Sequence, residues 1–235
     1  MENWNSNVET KSRSTVYDAG LRQHMSSIYN RMTAGVLVTG IVAYIAASIP
    51  GFVQFLAANP ILFFILALSP VAVIWFGFRP DRMPASKLRV SFFILSALYG
   101  LSFSSIFMVY TGTDIARAFF LAAGAFAGLS LFGYVTKKNL DGMGSFLIMG
   151  VWGLLLLSVV AMIWPSSALM NMISAAGILV FGGLTAWETQ RMKEMYSESY
   201  GTEANSRIAW MGALNLYISF VALFQYILHF IGNNR

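Results

Sequence analysis

The sequence predicts an all-α, polytopic integral membrane protein with seven transmembrane helices, and three observations carry that reading. Hydrophobic residues make up 57% of the 235-residue chain and charged residues only 11%, less than half the roughly 25% usual in a soluble domain. The charges gather between long apolar runs, each of about the 17–25 residues a bilayer crossing needs. The connecting segments alternate between basic and nearly charge-free, as cytoplasmic and outer loops do.

Residues 1–32 read as a polar cytoplasmic tail, too long and too polar ahead of the first apolar run for a cleaved signal peptide. Within it, residues 19–30 suit a short interfacial helix. Leu21, Met25 and Ile28 would form its apolar face, with Arg22 and His24 turned away and His24 solvated. Residues 33–231 form a single membrane domain, with spans at about 33–49, 61–78, 91–110, 115–135, 145–164, 169–187 and 208–231, and residues 232–235 are a C-terminal tail. Pro50-Gly51 closes the first span as a turn, and Asn59-Pro60 breaks the stretch before the second. Pro70 removes a backbone donor inside the second span, a loss that a neighbouring helix can make good. The third span is rich in small and hydroxyl residues, Ser96, Gly100, Ser102, Ser104 and Ser105. The fourth carries Gly124 and Gly128, four apart, the spacing of close helix packing. Pro165 ends the fifth. The sixth ends at Trp187, followed by a charged loop over residues 188–207. Trp164, Trp187 and Trp210 fall near span ends, as an aromatic belt requires.

With the N-terminus inside, 13 of the 15 Lys and Arg residues lie on the inner side, and only Arg117 and Arg235 lie outside. The expected orientation is therefore N-terminus cytoplasmic and C-terminus outside. The net charge of +5 is spread over several short loops, which argues for this bias and against a nucleic-acid footprint. The chain has no cysteine and only two histidines, His24 and His229, so no disulfide, thiol nucleophile or Cys/His metal cluster is expected. No phosphate-binding loop, GxSxG or HExxH motif occurs, and no pair of acids lies within a span. The sequence thus predicts no enzyme and no cofactor.

What remains is a polar seam. Glu188 follows directly on an apolar span, and a carboxylate there either marks a functional site or merely ends the helix at the water interface. Gly177, Phe181, Leu184 and Glu188 share one face of the sixth span. On the seventh, Asn215, Ser219, Tyr226 and His229 fall roughly on one face. Such faces line either a polar path, with Asn215 and Tyr226 as candidates, or an interhelical hydrogen bond worth ~0.6 kcal/mol. Arg79, at the inner end of the second span, is the candidate partner for Glu188, with Arg191 as a local alternative.

Four blocks carry a wider resemblance: ALYGLSFSSIFMVYTGTDIARAFF (97–120), FGYVTKKNLDGMGSFLIMG (132–150), LVFGGLTAWETQRMKEMY (179–196) and ALNLYISFVALFQYILHFIG (213–232). With them the sequence resembles the Bax inhibitor-one family of integral membrane proteins, in particular its YccA-like bacterial branch. The resemblance implies a central seventh helix surrounded by the other six, and a pH-sensitive calcium leak across a bacterial inner membrane. It also implies a latch of two aspartates, on the sixth and seventh helices, with an exchangeable arginine on the second. Bacterial relatives are further associated with a membrane-bound protease, so a non-conducting regulator of another membrane protein is the alternative. The latch positions match Glu188 (in AWETQR), Ser219 (in LYISF, where LYxDF is usual) and Arg79. Calcium, as permeant or weakly bound ion, would then meet a single carboxylate, Glu188, with Asn215, one turn before Ser219, as the candidate neutral oxygen ligand. A Glu–Ser pair lacks the repulsion of two adjacent carboxylates, so the expectation is a weaker or acid-shifted pH response and poorer calcium coordination.

Overall fold

The computed structural model describes the backbone of residues 2–233 and the side chains of residues 18–233. Among the described residues nine α-helices occur in order: α1 (Glu2–Ser48), α2 (Phe52–Ala58), α3 (Pro60–Ala72), α4 (Ala85–Phe103), α5 (Ile106–Val109), α6 (Gly112–Val135), α7 (Asp141–Ile163), α8 (Ser167–Glu194) and α9 (Gly201–Asn233). A π turn, Val73–Gly77, extends α3, and a 3-10 turn, Glu198–Tyr200, precedes α9. Seven segments are long and apolar enough to cross a bilayer, and no strand is present among the described residues. Large apolar side chains such as Ile61 (78% exposed) and Trp75 (73%) cover the outer surface, which suits lipid and not water.

Local chemistry sets the boundaries. Gly51, at φ 80°, turns the chain between α1 and α2, and Pro60 opens α3 where its missing donor costs nothing. Thr111 caps α6 by accepting the Asp114 N–H at 3.2 Å. Pro70 strips a donor from the carbonyl of Leu66. That carbonyl instead accepts the hydroxyls of Ser69 at 2.7 Å and of Ser102, across on α4, at 3.1 Å. The neighbouring helix supplies the lost partner, as expected.

Two boundaries differ from the sequence expectation. The tail and the first span form one helix, with no break between a short interfacial helix and the membrane segment. Leu21, Met25 and Ile28 do share a face, but it packs into the core, and His24 goes with them at 7% exposure, its ring 5.1 Å from that of Tyr196. Steps of three and four residues put His24 between Leu21 and Ile28 on the helix surface, so it is not solvated. The sixth span does not end at Trp187 either. ETQRMKE is made of good helix formers, and α8 runs on to Glu194, leaving Glu188 well inside it. The connection shrinks to residues 195–200, and α9 begins at Gly201, whose φ of 72° suits glycine.

The core forms around α9. Its most apolar window is 50% buried, against 33% or less for every other span. Direct packing on α9 comes from α1, α4, α6 and α8, while α3 packs on α4 and α7 on α8. Four helices, not six, therefore form its main sheath. Tyr217, Leu216, Leu223 and Leu228 of α9 are fully buried together with Ile28 of α1, Leu88, Phe92 and Leu95 of α4 and Met192 of α8. α6 crosses α8 closely at Gly133, where a Cβ would collide with the Ala186 carbonyl. Gly182 and Gly183 pack against Leu129 and Leu147. Gly124 and Gly128 do not pack on another helix: a Cβ at either meets open space. The buried face of α6 runs through Ala118, Ala122, Phe126, Ser130 and Gly133, and the two glycines lie off it.

Candidate functional site

The α8–α9 contact is the most extensive in the bundle, and it brings Glu188 and Ser219 together. The Ser219 hydroxyl donates to Glu188 Oε2 at 2.7 Å. Ser219 is 1% exposed, and Glu188 is half-buried. A hydroxyl bound to a carboxylate is among the stronger protein hydrogen bonds, and here it ties the sixth span to the seventh.

Glu188 sits between two threonines that bond back along α8. Thr185 donates to the Phe181 carbonyl and Thr189 to the Thr185 carbonyl, each at 2.8 Å. The Thr189 oxygen also lies 2.8 Å from Ser130 Oγ of α6, which lies 2.7 Å from the Tyr29 hydroxyl of α1. Each hydroxyl has one proton. With the Thr189 proton on a carbonyl, the chain runs in one direction, Tyr29 donating to Ser130 and Ser130 to Thr189. A second link joins α1, α4 and α9: the Tyr217 hydroxyl lies 2.7 Å from Thr39 Oγ1, which faces the Ser96 carbonyl at 2.9 Å.

The basic end of the bundle is braced around these bonds. Arg31 lies 4.4 Å over the Trp210 ring and donates to the Ser206 carbonyl at 2.9 Å. Arg191 lies 5.1 Å over Trp187, whose indole donates to Asp141 at 3.2 Å. Gln190 binds the connection before α7 three times, accepting from Leu140 N at 2.8 Å and donating to the Lys138 carbonyl at 2.9 Å and the Thr136 carbonyl at 3.5 Å.

Toward the other end the helices part. A cavity of about 520 Å³ opens among α4, α7, α8 and α9. Its polar lining is Tyr99, Ser158, Ser174, Gln225, Tyr226 and His229. It reaches down to Phe181 and to Ile218, the sequence neighbour of Ser219. The hydrogen-bonded pair does not line the cavity; it lies beyond the Phe181 and Ile218 end, toward the basic end.

The remaining sequence candidates divide. Tyr226 lines the cavity, stacks on Phe181 at 5.7 Å and covers Gly177, where any side chain would strike its ring. Asn215 sits one turn before Ser219, half-buried, and makes no side-chain hydrogen bond among the described residues. His229 contacts the Tyr110 ring at 6.0 Å. Arg79 does not reach the pair. It is exposed, just beyond the π turn, and among the described residues no ion pair joins it to Glu188. The second span packs on α4 and stands away from α8, so the expected arginine partner is corrected; Arg191, the local alternative, lies three residues along Glu188's own helix. Tyr29, Thr39, Ser130, Thr189, Tyr217 and Gln225 were not singled out from the sequence. The i, i+4 pair Thr185/Thr189 was visible as a hydroxyl stripe on Glu188's helix, but nothing in the sequence named its partners. Among the described residues no three His, Cys, Asp or Glu side chains gather into a metal-holding group.

Comparison with known proteins places this geometry in a lineage. A family described as "Inhibitor of apoptosis-promoting Bax1" matches residues 21–235. A protein of Caulobacter vibrioides is 40% identical over 228 residues, covering 93% of this chain and 91% of its own length. Protein RP147 of Rickettsia prowazekii is 35% identical over 236 residues and the full length of both chains. The inner membrane protein YbhL of Escherichia coli K12 is 38% identical over 221 residues, 92% of this chain and 94% of its own. With seven membrane-length helices and a match over nearly its whole length, the chain belongs to the Bax inhibitor-1/YccA-like family of membrane proteins.

Proposed function

We propose that the protein is a cation-leak pathway of a bacterial inner membrane, with calcium as the permeant ion, closed by the contact of Glu188 with Ser219. The observation that supports this most is the 2.7 Å hydrogen bond between them beyond the inner end of the cavity. A cation entering that cavity meets hydroxyl and amide oxygens first and the carboxylate last. Breaking the bond frees a negative charge on the path and loosens the α8–α9 contact that shuts it. The N-terminus is cytoplasmic in this reading, so the cavity opens outward and the latch is on the inner side.

One feature favours a second reading. The latch holds a single carboxylate, and hard cations such as calcium take six to eight oxygen ligands with several carboxylates among them. A non-conducting regulator of another membrane protein, such as a membrane-bound protease, uses the same bundle without passing ions. Calcium flux in proteoliposomes from pH 8 to 5 separates the two. The leak reading expects Glu188→Gln to change flux while thermal unfolding is unaltered. It expects wild type to respond weakly near neutrality, and Ser219→Asp, which restores two carboxylates sharing a proton, to gain a step there. Flux at the level of empty liposomes in all three proteins would leave the regulator reading standing.

A further inference from the structure

α1 and α6 both pack on α9 and touch each other mainly through the Tyr29–Ser130 hydrogen bond, leaving a gap between them that faces lipid. Toward the basic end it is a groove of about 520 Å³ between Arg22, Ser26 and Tyr29 of α1 and Phe126, Ala127 and Tyr134 of α6. Further along the same two helices, a second, apolar pocket of about 310 Å³ continues it over Val36 and Phe119. Phe220 of α9 forms the sill between them, its ring 5.6 Å from Phe126 and 5.9 Å from Phe119. The walls are apolar, and the polar atoms are concentrated at one end.

That end is cationic. Arg22 is exposed and makes no ion pair among the described residues, although Asp18 lies one turn ahead of it. Lys193 of α8 does not line the groove but lies against its Tyr134 wall: its ammonium donates to the Tyr134 carbonyl at 3.1 Å and lies 5.5 Å from the Tyr134 ring. An ammonium has three protons, so two stay available. Ser26, one turn after Arg22, adds an exposed hydroxyl. No acidic side chain lines the groove. An acyl-chain channel with two cations and a hydroxyl at its headgroup end has the chemistry of a basic pocket for an anionic phospholipid.

We propose that the α1–α6 groove holds one anionic phospholipid, its phosphate between Arg22 and Lys193 and one acyl chain lying over Ala127 toward Phe220. The inference rests on the membrane class and the groove, and it stands whether or not the protein conducts ions.

Native mass spectrometry of the full chain in detergent tests it, with phosphatidylglycerol and phosphatidylcholine of equal chain length as probes. Wild type is expected to retain one phosphatidylglycerol about fivefold better than phosphatidylcholine, on the scale of one basic residue near a charged headgroup. Arg22→Gln is expected to abolish the preference, and Ala127→Trp to displace the retained lipid by filling the groove. Arg89→Gln, a cation elsewhere on the basic end, is expected to leave the preference intact. Thermal unfolding of each variant keeps misfolding apart from lost binding. Equal retention of the two lipids by wild type overturns the proposal. So does a preference that survives both Arg22→Gln and Lys193→Gln, or one that Arg89→Gln removes as fully as Arg22→Gln.

Discussion

Toward the basic end and the middle of the bundle, neighbouring helices are joined by side-chain hydrogen bonds: α1 to α6 and α8 through Tyr29, Ser130 and Thr189, α1 to α9 through Thr39 and Tyr217, and α8 to α9 through Glu188 and Ser219. Toward the other end, α7 stands off α9, the first half of α8 meets it at Gly177 and Tyr226, and a cavity with hydroxyl, amide and imidazole groups fills the remaining space. Lipid is as apolar as leucine, so membrane helices hold together through close packing and hydrogen bonds, with little hydrophobic drive. The half with the paired hydroxyls is therefore the more tightly closed half. The other half has traded such contacts for room.

The strongest way to break this contrast is through packing. A side chain at Gly133 must displace the Ala186 backbone, so Gly133→Leu is expected to destabilise the protein by about 3 kcal/mol, the upper range for overpacking. Gly128→Leu on the same helix meets open space and is expected to stay within ~0.5 kcal/mol of wild type. Thermal unfolding in detergent measures both; equal effects would remove the distinction between the two faces of α6. A smaller effect comes from Thr39→Val, which removes one of the two hydroxyl partners, Thr39 and Ser96, of the fully buried Tyr217. The same assay is expected to show a loss of about 0.6–1.7 kcal/mol, the range for interhelical hydrogen bonds in a bilayer. Smallest of all, Arg79→Gln is expected to leave calcium flux and stability unchanged, because Arg79 is exposed and remote from Glu188. A large flux change would restore it as a latch partner.

The number and order of the spans were legible because hydropathy reports which segments leave water. Hydropathy stops at charge, however, and α8 does not: Glu188, Arg191 and Lys193 sit on continuing helix, so the sequence put the loop seven residues too early. Nor does it report which face meets protein and which meets lipid. That is why His24 was read as solvated, Gly124 and Gly128 as packed, and Arg79 as near Glu188. The Glu188–Ser219 pairing was legible only through the family blocks, since helical spacing puts both residues on inward faces without matching their heights. The cavity was not legible at all, because it is a place where helices diverge, and no residue pattern encodes an absent contact.

The central claim is that the Glu188–Ser219 bond closes the bundle between the cavity and the basic end. The chain has no cysteine, so Gln225→Cys puts a single thiol in the cavity, and its modification by a small charged thiol reagent can be timed from the basic side. In Ser219→Ala, which removes a bond worth about 0.6–1.5 kcal/mol, the rate is expected to rise about threefold to tenfold. The same rate with and without the Ser219 hydroxyl would contradict the claim.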